Sequence, residues 1–152
     1  MPNEMDRELL KTLHVHSEDL PFIEFLPGYE SRILHVRPSD KLVVTQVRAQ
    51  PGSMSALHRH PSPVYGWTLD GSWGHDHEYK YRPGTYIFET PSVIHRFVNG
   101  PSVTEAVFVS TGDLEFIDPE TREVMNVARP QELLDIYVAA SEELGYKPKV
   151  LS

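Results

Sequence analysis

No cysteine occurs in the 152 residues of this chain. That one absence removes disulfides, thiolate zinc sites, iron–sulfur clusters and cysteine nucleophiles together. Any metal must therefore be held by histidine and carboxylate. Long apolar runs are also missing, so no stretch is long enough to span a bilayer. Positive charge is scarce: 14 Lys and Arg stand against 22 Asp and Glu, a formal net charge of −8. Such a balance disfavours nucleic acid or an anionic membrane surface as partner, because both are bound through basic patches. The opening residues Met1-Pro2-Asn3-Glu4-Met5-Asp6 lack the basic and apolar regions of a signal peptide, so the cytoplasm is the expected location. A G-x-S-x-G elbow, a phosphate-cradling glycine loop and a dinucleotide fingerprint are all absent, which leaves hydrolase and nucleotide chemistry without support.

What is present is an ordinary globular composition, 39% hydrophobic and 24% charged, in a length that suits one domain over residues 1–152. Residues 1–20 read as a polar arm with one amphipathic turn around Leu9, Leu10 and Leu13, and with His14-Val15-His16 on its surface. Strand signals follow in close succession: Phe22 to Leu26, Ser31 to Val36, Leu42 to Val47, Val64 to Leu69, Tyr79 to Tyr81, Tyr86 to Phe88, His95 to Val98, Thr104 to Val109, Leu114 to Ile117 and Val124 to Val127. Pro27-Gly28, Pro38-Ser39-Asp40, Pro51-Gly52 and Pro83-Gly84 punctuate them, and Asp70-Gly71 is a hairpin signal. Many short strands with closely spaced turns indicate an all-β sandwich or barrel. The period changes only near the end, where Pro130 opens an apolar pattern at helical spacing and Gly145 stops it, so a helix is expected over 130–145.

Chemistry concentrates between Gly52 and Asn99. Side chains two apart on a strand share a face, so His58 and His60 project together while Arg59 points away. Gly52 precedes His58 by six residues, Gly84 precedes His95 by eleven, and Asn99 follows His95 by four. Gly52 and Gly84 read as turn residues that need a positive φ. Over roughly residues 42–110 this pattern resembles the two motifs of the cupin superfamily. The resemblance implies an antiparallel jelly-roll β-barrel (a double-stranded β-helix) with a metal at its mouth, held by His58, His60 and His95. The chain departs from the pattern at three places. Val64 or Tyr65 stands where a glutamate ligand is usual, Pro91 is displaced by one residue, and Val93 replaces a glycine.

Losing the glutamate leaves a three-histidine set, which resembles the non-haem iron dioxygenases that cleave acetylacetone or 2,4′-dihydroxyacetophenone. His58-Arg59-His60-Pro61, Gly84 to Glu89 and Leu114 to Asp118 carry that likeness. It implies Fe(II) as the cofactor, with zinc or nickel possible in purified material, and a carboxylate near the ion. Glu89, six residues before His95, and Glu78, 18 residues after His60, are the two candidates for that carboxylate. Three neutral imidazoles leave a divalent ion its full charge and open positions for substrate and dioxygen. Such a centre suits the enolate of a β-diketone or hydroxyketone, and C–C cleavage by dioxygen then yields a carboxylic acid and a second carbonyl product. The partners expected are a small substrate, dioxygen and further copies of this chain in a homodimer or homotetramer.

Other readings stay open at this point. One is a non-catalytic, zinc-binding sensor cupin of the anti-sigma-factor kind; another is a cupin isomerase or decarboxylase. Trp73-Gly74-His75-Asp76-His77-Glu78 reads as a solvated hairpin tip rather than a second metal site. Tyr65, Trp67, Phe88 and Phe97 either line a pocket above the metal or fill the barrel core.

Overall fold

A computed structural model describes residues 12–152; the Leu9 and Leu10 part of the expected N-terminal turn lies outside them. Twelve strands are formed: β1 (Ile23–Leu26), β2 (Tyr29–Arg37), β3 (Leu42–Ala49), β4 (His58–Arg59), β5 (Val64–Asp70), β6 (Trp73–Gly74), β7 (Tyr86–Glu89), β8 (Ile94–His95), β9 (Val98–Asn99), β10 (Thr104–Ser110), β11 (Leu114–Ile117) and β12 (Val124–Ala128). Among the described residues one α-helix, α1 (Pro130–Glu143), follows the strands, and Leu151 beyond it bridges back to His35 on β2. Among the described residues no helix is long and apolar enough to cross a membrane.

Period-two alternation explains the longer strands. On β5, Val64, Gly66 and Thr68 are buried while Trp67 and Leu69 are exposed, and on β7 only Ile87 is buried. The strands assemble into a six-stranded sheet of order β1-β2-β3-β10-β5-β7, a four-stranded sheet of order β12-β11-β4-β8, and the pair β6-β9. Strand β10 lies between β3 and β5, and β11 beside β4, so partners distant in sequence interleave as a jelly roll requires. Hydrogen bonding leaves the sheets as separate ladders instead of closing one barrel.

Three local expectations are corrected. The segment Tyr79 to Tyr81 is not a strand; Tyr81 makes only an isolated bridge to Trp73. His95 to Val98 splits into β8 and β9, which pair with different partners, β4 and β6. Asp70-Gly71 does not fold β5 back on itself. Gly71, at φ +77°, steps the chain from the large sheet into β6, and a Cβ there would fall 2.6 Å from Thr104 Cα. Only glycine fits both the conformation and the approach.

Two apolar clusters hold these layers together. Trp73 stacks on Phe97 at 4.3 Å and 10°, above Val47, Ala49 and Ile87. At the helix, Tyr137 is fully buried against Ile23, Ile33, Val36 and Val43, and its hydroxyl donates to the Pro21 carbonyl at 2.7 Å. Burial pushes that phenol up to about 12.

Asn99 ties the loops around β9. Fully buried, its Nδ2 donates toward the carbonyls of Gln50 at 2.8 Å, Ser102 at 2.9 Å and Ala49 at 3.0 Å. Replacing that donor with an acceptor would leave these carbonyls facing a carboxylate. Asn99→Asp is expected to cost about 3 kcal/mol, read as a lower urea midpoint with an unchanged denaturant slope.

Candidate metal centre

The antiparallel pairing of β4 with β8 places His58 directly opposite His95. His60 follows two residues after His58 on the same face, and its carbonyl accepts from the Ser92 N–H at 2.7 Å. Ser92 adopts φ +70° to make that bond, so the turn between β7 and β8 is bent to pin His60 in place. Ring centroids stand 4.9 Å apart for His58–His60 and His58–His95, and 6.1 Å apart for His60–His95. One nitrogen from each of the three lies within 4.8 Å of the others.

The donors are prepared for a metal. His58 Nδ1 donates to the Ala56 carbonyl at 2.7 Å, which leaves Nε2 with its lone pair free. His95 Nε2 is buried with no hydrogen-bond partner, a vacancy in the polar accounting that an ion would fill. Burial lowers the proton affinity of all three rings, His60 to about 4 and His95 to about 3, so they stand neutral at pH 7. Neutral imidazole is the ligating form. The residues present therefore fit a divalent metal.

Glu89, at the end of β7, enters the same cluster. Its Oε2 faces His95 Nε2 at 3.6 Å and His60 Nε2 at 3.8 Å. Burial alone would raise this carboxyl, but the His75 hydrogen bond and the fields of His95 and His60 outweigh it and hold the carboxyl below its ordinary value. His75 was missed by the sequence reading, which placed it on a solvated tip. The structure brings it in: its Nε2 meets Glu89 Oε1 at 3.0 Å, its Nδ1 meets the Tyr81 hydroxyl at 3.2 Å, and its ring stacks on His95 at 4.2 Å and 3°. His75, Glu89 and His95 make a second group able to hold an ion. A signal for this existed, since His75 lies two residues beyond buried Trp73 and so shares its inward face.

The rest of that segment behaves as a solvated tip. Asp76, His77 and Glu78 are exposed, and Glu78 pairs with Lys80 instead of joining the cluster. Of the two carboxylate candidates, the structure thus brings in Glu89 and leaves Glu78 in solvent. His14 and His16 are likewise exposed.

Beside the histidines lies a cavity of about 430 Å³ between the sheets, walled by His58, His60, His75, Glu89 and many apolar side chains. Phe97 lines it. Trp67 and Phe88 do not: they stand on the outer face of the large sheet, about half exposed, because their strand positions are out of phase with Val64 and Ile87. Tyr65 shares that outward phase and packs on Phe88 at 5.6 Å. A wider surface groove of about 680 Å³ along Met54, Leu57 and Met125 holds none of the histidines.

A jelly roll that gathers histidines on and beside the paired strands β4 and β8 defines the molecule as a cupin. Residues 10–115 match the ChrR cupin-like domain, and the chain belongs to that family. No protein of curated function matches the sequence significantly. Among solved structures, an RmlC-like cupin from Ralstonia eutropha JMP134 is similar with a TM-score of 0.82 at 22% identity, covering 96% of this chain and 97% of that one. An acetylacetone dioxygenase from Acinetobacter johnsonii is similar with a TM-score of 0.73 at 18% identity, over 86% and 92% of the two chains. The complex of SigE with the anti-sigma ChrR from Rhodobacter sphaeroides is similar with a TM-score of 0.54 at 14% identity, over 62% of this chain and 51% of that one. At these identities the structural likenesses establish the fold.

The depressed proton affinities give a pH signature. Above the ordinary imidazole value of 6.5, His60 and His95 are neutral in folded and unfolded chains alike, and the fold keeps its full stability. Below it, the unfolded chain takes up protons that the fold refuses until about pH 4 and 3. Glu89, depressed in the fold, adds a loss of the same sign at the acid end. Chelator-treated protein is expected to melt at a constant temperature above pH 7 and progressively lower as pH falls from 6.5 toward 4. A double His60→Gln, His95→Gln variant should show a shallower decline.

Proposed function

We propose that this cupin is a metal-dependent dioxygenase that cleaves a C–C bond in a small β-diketone or hydroxyketone, with Fe(II) as the working ion. The observation that carries the reading is the convergence of three neutral imidazoles, His58, His60 and His95, with the neighbouring carboxylate Glu89 engaged by His75 at 3.0 Å. A three-imidazole shell preserves the charge that an anionic, bidentate oxygen ligand seeks. The likeness in fold to an acetylacetone dioxygenase supports the same class of substrate.

In this reading the ion, held by the three histidines, supplies Lewis acidity toward the substrate oxygens and the redox chemistry with dioxygen. The chain does the rest. His58 and His95 are fixed by the facing register of β4 and β8, and the Ser92 bond fixes His60. His75, braced by Tyr81, orients Glu89 so that Oε1 is occupied and Oε2 faces the site. Glu89 Oε2 is then placed to accept the proton released when the substrate carbon between or beside the carbonyls is deprotonated. The cavity walls around that carbon are mostly apolar. The expected homodimer or homotetramer is supported by β7 standing, among the described residues, at the edge of the large sheet, and by exposed Trp67, Tyr86 and Phe88 beside it.

A second reading has its own support. The alternative donor group His75, Glu89 and His95 includes a carboxylate, a mixed set that suits zinc, and the family carries the name of an anti-sigma factor's cupin domain. A zinc-binding sensor would consume no oxygen.

The deciding experiment is anaerobic reconstitution with Fe(II), followed by oxygen uptake on a panel of β-diketones and hydroxyacetophenones. Substrate-dependent uptake is expected; none with any compound, together with tight zinc binding, would favour the sensor. Metal analysis supplies a companion test: His95→Ala should lose the ion while His14→Ala keeps it, and full metal content in both would refute the ligand set. His75→Ala should retain the ion yet lower kcat by about tenfold to a hundredfold, with His75→Gln recovering part of that loss.

A further inference from the structure

The cavity is larger than the head of the substrate needs. At about 30 Å³ per water-sized group, 430 Å³ holds roughly 14 non-hydrogen atoms, about twice the size of a five-carbon diketone. One part of its wall is the cluster of His58, His60, His75 and Glu89. Another part is built from Phe25, Leu26, Leu133 and Ile136, three of which are also solvent-exposed and so mark an opening with an apolar rim between β1 and α1. Among the described residues that wall the cavity there is no lysine or arginine. The charged side chains on it are Glu89, engaged by His75, and Glu132 at the rim, engaged by Arg129 at 3.1 Å.

Resting on the reading of the site as a centre for diketones or hydroxyketones, we infer that the cavity selects a chelating oxygen pair joined to a neutral apolar arm, alkyl or aryl, that runs from the histidines to Leu133 and Ile136. The apolar wall rewards such an arm by removing it from water. An arm ending in a carboxylate or phosphate finds no lysine or arginine in the cavity wall and faces Glu132, whose neighbour Arg129 is already paired with it, so the wall offers that charge no partner.

Calorimetry on zinc-loaded protein separates this inference from the reading beneath it, because zinc binds the oxygen pair without turnover. Three ligands are compared: acetylacetone, the same diketone with a pentyl arm in place of one methyl, and that pentyl arm ending in a carboxylate. The pentyl compound should bind at least about tenfold tighter than acetylacetone, and the carboxylate should show no such gain. Ile136→Arg, a change at a half-exposed helix position, should shift the ratio of the two armed ligands by about tenfold or more toward the carboxylate. Acetylacetone binding with no gain from the pentyl arm, or with the carboxylate bound as tightly as the pentyl compound, would overturn the inference and leave the reading intact. If none of the three binds, the diketone reading falls and takes the inference with it.

Discussion

A buried imidazole cannot be both protonated and at ease, and the centre of this molecule is organised by that constraint. His58, His60 and His95 sit where burial suppresses the charged form, so each must carry a lone pair that needs a partner. One ring nitrogen of His58 is satisfied by the Ala56 carbonyl. Nε2 of His95 has no partner within the protein. A cation shared among the three rings would resolve that shortage.

The scaffold serves this cluster through short elements. Strands β4 and β8 are only two residues each, yet their pairing sets His58 against His95. Short strands hold a register poorly alone, so the loops around them are fastened by further hydrogen bonds: the Asn99 side chain donates toward three carbonyls, Ser55 Oγ accepts from the Phe97 N–H at 2.9 Å, and the Ser92 backbone N–H donates to the His60 carbonyl. Beneath them the stacked Trp73 and Phe97 form a rigid floor. Trp73 donates its indole N–H to Thr68 at 2.8 Å, so even the floor is hydrogen-bonded to the large sheet.

Much of this was legible in the residues. Alternation of β-branched and polar side chains located nearly every long strand, and Pro130 and Gly145 bracketed the helix. Gly52 and Gly84 do adopt φ +72° and +86°, with open space around them, so backbone conformation alone accounts for them. The histidine triad was readable because parity on a strand and spacing from glycines are local. His75 was not, because its place depends on β6 pairing with β9, about 25 residues further on. Trp67 and Phe88 differ for the opposite reason: their size suggests either the pocket wall or the barrel core, whereas strand phase sets them outside both.

Three neutral imidazoles are proposed as the whole protein contribution to the ion, with Glu89 Oε1 engaged by His75 and Oε2 facing the site without ligating. X-ray absorption at the metal edge of the loaded protein tests it most directly. The account predicts scattering from three imidazole rings, with the remaining positions filled by water oxygens and unchanged in Glu89→Gln. A shell with fewer than three imidazoles, or one that loses an oxygen ligand when Glu89 is replaced, would contradict it.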